Sequence, residues 1–297
     1  MSVRELDARR LGRLLRETVS AWVDDRAPSM GAALAYYTMF SIAPLLLIVI
    51  SVAGLVFGAD AARGEITTQL RGLVGDAGAR VVEGLVESAD RPAQGLLSTL
   101  AGAGLLIVGA TTVFAELQDA LDRIWRAPQR AAGGWWALLR ARLLSLGLIL
   151  GMGFLTMVSL LLSAALAALG KWWGPWFGHW LPLAELLNQL VGFALVTVMF
   201  AMIYKLMPRA RVAWADVWLG AAVTALLFTA GKFLIGLYLG RSGLGSVFGA
   251  AGSLVAMLAW VYYSAQIFLL GAEFTWAYAR RFGSRRDDGQ RVPPGRA

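Results

Sequence analysis

The sequence contains no cysteine and a single histidine, His179. The first absence excludes a disulfide framework and thiolate metal sites and leaves the redox compartment unmarked. Charge is also scarce: 15% of the 297 residues are Asp, Glu, Lys or Arg, while 58% are hydrophobic. Soluble domains carry roughly 25% charged and about 45–50% apolar residues, so this chain falls outside the soluble range. Mean hydropathy is +0.63. No Gly-rich phosphate loop follows a strand pattern, no nucleophile elbow occurs, and no internal repeat is evident.

What is present is a series of long apolar stretches. They are continuous rather than alternating, which fits helices and argues against a barrel. Six transmembrane helices are expected, at about 31–57, 95–115, 143–169, 183–207, 215–240 and 244–278, forming an all-α membrane domain over 28–279. The third would be ~40 Å long at 1.5 Å per residue, so it tilts or protrudes. Pro44 inside the first span removes a backbone donor and is expected to kink that helix. Residues 58–94 carry two short amphipathic patterns split at Gly75–Gly78, read as a helical hairpin at the membrane surface outside the cytoplasm. Residues 1–27 alternate arginines with Leu6, Leu11, Leu14, Leu15, Val19, Trp22 and Val23, the pattern of an amphipathic helix in the headgroup layer. Met1–Arg26 lacks the apolar core of a cleavable signal peptide, and the first span is expected to act as an uncleaved insertion signal. The basic tail 280–297, rich in Pro and Gly, is expected to be disordered.

Lysine and arginine set the orientation. Twenty of the 27 lie in the N-terminal segment, the loops after spans two and four, and the C-terminal tail; six lie in the alternate loops; Lys232 lies within a span. Both termini are therefore expected in the cytoplasm. The net charge of +8 then reflects loops facing anionic membrane lipids rather than a nucleic-acid partner. Trp172, Trp173, Trp176 and Trp180 mark one expected interface. Trp125, Trp135, Trp136, Trp214, Trp218 and Trp276 mark the other.

The stretch from Ala32 to Leu47, AALAYYTMFSIAPLLL, resembles the opening of the YihY/BrkB family of bacterial inner-membrane proteins. The stretch from Trp260 to Thr275, WVYYSAQIFLLGAEFT, resembles that family's closing motif. Between them, Tyr204–Pro208 and Gly231–Gly240 are similar to its fourth and fifth helices. The resemblance covers roughly residues 15 to 280 and implies a six-helix protein of the bacterial inner membrane. It implies little about activity: members were once labelled a ribonuclease, and some are tied to serum resistance or to transport.

Candidate sites are few. Lys232 lies about eight residues from the end of span five, ~12 Å inside the boundary. A charge at that depth either faces a polar cavity, as a contact for an anionic substrate or lipid headgroup, or snorkels outward on its stem. Gln266, Tyr262 and Tyr263 form a polar stripe on span six that Tyr36 and Tyr37 of span one could face. Such a stripe lines a solute path or supplies interhelical hydrogen bonds. Glu273, near the inner end of span six, is at the opposite depth from Lys232. Its expected partners are Arg140, Arg142 or Lys205, in a structural ion pair rather than a proton-coupling role. Glu116, Asp119 and Asp122, interleaved with Arg123 and Arg126, read as a salt-bridged helix face rather than a metal site. Gly147/Gly151, Gly236/Gly240 and Gly245/Gly249/Ser253 are small-residue spacings that permit close helix approach or homo-oligomerisation. No metal or cofactor is expected, and an enzyme, including a ribonuclease, is disfavoured. Two functions remain: a transporter or flippase-like protein for a small solute or an amphipathic, lipid-derived molecule, and a non-transporting scaffold supporting envelope integrity through protein partners.

Overall fold

The computed structural model describes residues 8–58, 112–127, 181–210, 212–241 and 252–286, with positions 147, 151 and scattered positions between 60 and 87. Among the described residues every regular element is helical. Helix α1 is Ala8–Asp24, α2 is Ala27–Phe57, α3 covers 112–124, α4 is Leu181–Leu206, α5 is Trp214–Arg241 and α6 is Gly252–Arg281. The expected span at 95–115 (but for 112–115), most of that at 143–169, and His179, Arg140 and Arg142 lie outside the described residues.

Among the described residues, four helices are long and apolar enough to cross a bilayer: Ala27–Ser51, Gln189–Leu206, Trp214–Ile235 and Leu254–Arg281. The shortest, 18 residues, spans ~27 Å at 1.5 Å per residue, close to the thickness of a hydrocarbon core. The start of α2 follows from Pro28, whose fixed φ suits a first turn, and its end from Gly58 at φ 88, a left-handed position that suits glycine. Between these ends α2 runs through Pro44 as one helix.

Helix α6 is the hub. It packs against α5, α2 and α1, while α4 packs on α5. The closest joint is α5 with α6, where the contact is reciprocal. Gly220 of α5 receives the side chain of Thr275 from α6, and Gly271 of α6 receives that of Thr224 from α5. Each threonine also bonds the carbonyl of the glycine four residues before it, Thr224 to Gly220 at 2.7 Å and Thr275 to Gly271 at 2.6 Å. The hydroxyls are thereby satisfied inside their own helices and the methyl-sized knobs seal the joint. Farther along, Gly231 meets Ile267 and Tyr263, so the two helices run antiparallel.

Tyr204 of α4 is wholly buried and closes the three-helix junction. Its hydroxyl donates to the Phe268 carbonyl at 2.7 Å and lies 3.1 Å from Thr224 Oγ1. Phe200 and Phe268 pack on its ring with centroids 6.3 and 5.1 Å away, and Phe228 packs in turn on Phe200 at 5.7 Å. On the other side of α6, Gly31 of α2 sits against the Gln266 side chain. Ala43, Leu47 and Ile50 of α2 form a second cluster with Met257, Val82 and Val86, so part of the expected 58–94 hairpin packs on the bundle.

The amphipathic pattern of α1 becomes a packed helix. Leu14, Thr18 and Ala21 are buried against the bundle and Leu11, Leu15, Val19 and Val23 remain exposed. Two sequence expectations need correction. Disorder was expected from residue 280, yet α6 continues to Arg281 and 282–286 fold back in a turn. Asp216, in the first turn of α5, accepts from Ser284 Oγ at 2.6 Å and from its backbone N–H at 3.1 Å, which holds that turn. Trp125 and Trp276 were expected at the lipid interface, but both are buried in protein, and arginines stack on them. Trp214 and Trp218 remain exposed.

Candidate functional site

Lys232 lies on the outer face of α5 beside exposed Phe233 and Leu234. Gly231 meets α6 at Ile267 and Tyr263, so Lys232 is about ten residues, or ~15 Å, from the level of Glu273 along the helix axes. Gln266 points to α2, its amide 3.5 Å from the Pro28 carbonyl, while its carbonyl oxygen is buried with no hydrogen-bond partner among the described residues. Tyr263 turns toward α5. Tyr36 is 58% exposed and Tyr262 38%, and Tyr36 packs edge-on against Tyr37 at 5.5 Å. Gln266, the tyrosines and Lys232 thus face different neighbours instead of converging on one path. A small cavity of ≈190 Å³ does exist near Ile50, Val82 and Val86, away from all of them.

A larger cleft of ≈580 Å³ opens between α1 and the end of α6. Four arginines line it, Arg126, Arg280, Arg281 and Arg286, together with Trp276 and, from α1, Glu17, Ser20 and Asp24. Helical spacing explains how it is built. Trp276, Ala277 and Arg280 follow Glu273 at i+3, i+4 and i+7, so one face of α6 carries the cleft wall and a buried carboxyl one turn deeper. Arg126 and Arg280 both stack on the Trp276 ring, 5.0 and 4.8 Å from its centroid. Arg281 pairs with Glu17 of α1. Arg126 adopts φ 50 just beyond α3, a left-handed conformation that costs a non-glycine residue about 1 kcal/mol. Its guanidinium reaches Asp25 Oδ2 at 3.9 Å.

Glu273 itself is 0% exposed and neither carboxyl oxygen has a hydrogen-bond partner among the described residues. The charged groups in its electrostatic surroundings are Asp25, Arg126 and Asp24. The expected pair with Lys205 does not form. That lysine donates to the Val212 carbonyl and sits 5.5 Å from the Trp214 ring, serving the turn between α4 and α5. The indole nitrogens of Trp22 and Trp125 are likewise buried with no hydrogen-bond partner among the described residues.

The carboxylates of α3 also find distant partners. Asp122 accepts from the Arg209 backbone N–H at 2.6 Å and pairs with its guanidinium at 3.5 Å. Burial raises the Asp122 carboxyl above the usual aspartate range, and the Arg209 contacts oppose that rise. Burial and the neighbouring Asp119 raise Glu116, with Arg123 opposing. Among the described residues no three acidic or histidine side chains gather as metal ligands. Chemically, the cleft offers what a planar anion needs: several guanidinium donors beside an aromatic ring.

Comparison with known proteins sets these features in a family. The family described as virulence factor BrkB matches residues 18–296. A UPF0761 membrane protein of Pseudomonas aeruginosa is 34% identical over 84% of this chain, which spans 59% of that relative's length. Another from Actinobacillus pleuropneumoniae is 28% identical over 86% of this chain and 89% of its own length. A third, from Ralstonia nicotianae, is 28% identical over 91% of this chain and 59% of its own length. No solved structure matches the chain.

Proposed function

The chain belongs to the virulence factor BrkB family and is an integral membrane protein, and from that premise we propose that it is a transporter or flippase-like protein for an anionic amphipathic or lipid-derived molecule. The observation that carries this reading is the ≈580 Å³ cleft with Arg126, Arg280 and Trp276 on its wall. Guanidinium groups held in place over the buried indole offer charge and paired N–H donors to an anionic head group. The wider arrangement is part of the proposal. Six spans lie in the bacterial inner membrane, α1 rests at the headgroup layer, and both termini are in the cytoplasm, where the arginine bias favours them. Membrane lipids are its neighbours, and it acts neither as an enzyme nor on nucleic acid.

The test uses the full chain reconstituted in vesicles with a fluorescently tagged phosphatidylglycerol. Protein-dependent exposure of inner-leaflet label to an external quencher, reduced at least several-fold in Arg126→Ala and Arg280→Ala, is expected. Equal signals from protein-containing and empty vesicles would exclude lipid movement. A tagged phosphatidylcholine control separates anion selection from general scrambling.

A second reading, a non-transporting scaffold working through protein partners or as a homo-oligomer, is favoured by the reciprocal Gly–Thr joint. That joint closes the bundle where α5 meets α6, and Lys232 faces outward from it. Under this reading label exposure never exceeds that of empty vesicles, and crosslinking recovers a specific neighbour.

A further inference from the structure

The two walls of the arginine cleft carry opposite charge. One wall is Trp276, Arg280 and Arg281 of α6 together with Arg126; the other is Glu17, Ser20 and Asp24 of α1. The α1 residues stand at i, i+3 and i+7, so helical spacing puts them on one face. We propose that the cleft binds a head group that joins anionic groups to a primary ammonium, as a phosphoserine head does, with Asp24 receiving the ammonium. The proposal rests on the transport reading only for the source of that head, a lipid; the head chemistry follows from the walls themselves.

Contacts at each end set how the walls face each other. Glu17 meets Arg281 at one end. At the other, Arg126 reaches Asp25 Oδ2 at 3.9 Å and stacks on Trp276. Helices α1 and α6 therefore run antiparallel here, and Asp24, beside Asp25, lies at the level of the Trp276 ring. Facing it are the guanidinium groups of Arg126 and Arg280, both stacked on that ring. Stacking uses the face of a guanidinium and leaves its N–H edge for anionic oxygens.

Asp24 is the unmatched charge of this arrangement. Glu17 is taken up by Arg281, and Asp25 by Arg126. Asp24 is exposed, accepts from Ser20 Oγ at 3.3 Å, and has no ion-pair partner among the described residues. A ligand of one sign therefore fits only one wall. A purely anionic head gains from the arginines and is repelled by Asp24; a simple amine gains from Asp24 and is repelled by the arginines. A head with both charges meets its complement on each side. A primary ammonium also brings N–H donors for the Asp24 oxygens, which a quaternary ammonium lacks. The cleft volume of ≈580 Å³ lies inside the range of about 300–1,000 Å³ that small-molecule sites occupy.

Native mass spectrometry of the full-length protein, released from detergent micelles, tests this with two lipids of equal net charge, phosphatidylserine and phosphatidylglycerol. Phosphatidylserine should be retained at least several-fold more than phosphatidylglycerol. Asp24→Asn should bring the two level, and Arg280→Ala should weaken both. Because Asp24 is exposed, Asp24→Asn should keep the helical content of the wild type, which circular dichroism checks. Equal retention of the two lipids by the wild type would overturn the proposal. So would a serine-lipid preference that survives in folded Asp24→Asn, because the arginines alone would then be reading the extra carboxylate. Free O-phosphoserine that competes as well as whole phosphatidylserine would uphold the head chemistry and assign its source to the water phase. The transport reading fails separately: a retained serine lipid with no protein-dependent label exposure in vesicles upholds the site and removes the movement.

Discussion

Gly271 of α6 lies directly against the Thr224 hydroxyl of α5, so close that a single methyl group on Gly271 would overlap the oxygen. The same glycine is also in reach of the Tyr204 hydroxyl. A larger residue must therefore push apart three helices. Gly271→Leu should destabilise the protein by at least about 1–3 kcal/mol, the range for overpacking a close-fitted site. Gly271→Ala should cost less, and adding Thr224→Ala should recover part of its loss. Thermal unfolding in detergent, followed by tryptophan fluorescence, reads all three; wild-type stability in Gly271→Leu would refute the close-packed joint.

Arg126 separates backbone from side chain in one position. Its φ of 50 suits glycine, so Arg126→Gly should be more stable than Arg126→Ala by about 1 kcal/mol. Both variants should lose the stacking on Trp276 and the pair with Asp25 equally. Comparing their unfolding midpoints with their tagged-phosphatidylglycerol signal would expose any mismatch.

Asp122 should leave a pH signature. Because burial raises its carboxyl in the folded protein, folding favours its protonated form. That contribution is complete below the ordinary aspartate value and is lost as pH climbs through the raised one. Asp122→Asn should therefore flatten the fall in stability over the mildly acidic range. Unfolding midpoints measured across that range in both proteins check the sign; parallel curves would refute it.

Asp216 ties the end of α6 to the start of α5. Asp216→Ala removes two hydrogen bonds to Ser284 and should cost about 1–3 kcal/mol. The turn at 282–286 should open, so trypsin should cut after Arg285 and Arg286 several-fold faster. Unchanged digestion would mean that the turn is held by other contacts.

Lys232 stands apart from the cleft on an exposed face. Lys232→Met should leave vesicle activity and stability within error of wild type, because the stem and not the charge covers the neighbouring apolar surface. A large loss of activity would restore the lysine to a cargo path.

Hydropathy along the chain marked the described spans well. The expected boundaries at 31–57, 183–207 and 215–240 fall within a few residues of α2, α4 and α5. Apolar run length is a local property and survives folding. Partner choice is not local. Asp122 with Arg209, and Asp25 with Arg126, join residues far apart in sequence, and no spacing rule predicts them. Trp125 and Trp276 misled for a related reason: an indole near a charged segment suits a lipid interface, yet here the neighbouring arginines cover it within the protein. The Gly220–Thr224 and Gly271–Thr275 spacings were readable as small-residue pairs, but threonine disguised them beside the all-glycine pairs. The face Glu273, Trp276, Ala277 and Arg280 was also visible in sequence, though nothing there signalled that α1 would lie across it.

The buried Tyr204 hydroxyl has a bearing on how the chain is made. Its acceptor on Phe268 is 64 residues downstream. At ribosomal speeds of about 5–20 residues per second, that interval is roughly 3–13 s. During those seconds α4 has emerged while its tyrosine still lacks the helix that will satisfy it. The finished hydrogen bond records the arrival of α6, and a nascent chain that stops short of it presents a lone phenol by which unfinished bundles differ from complete ones.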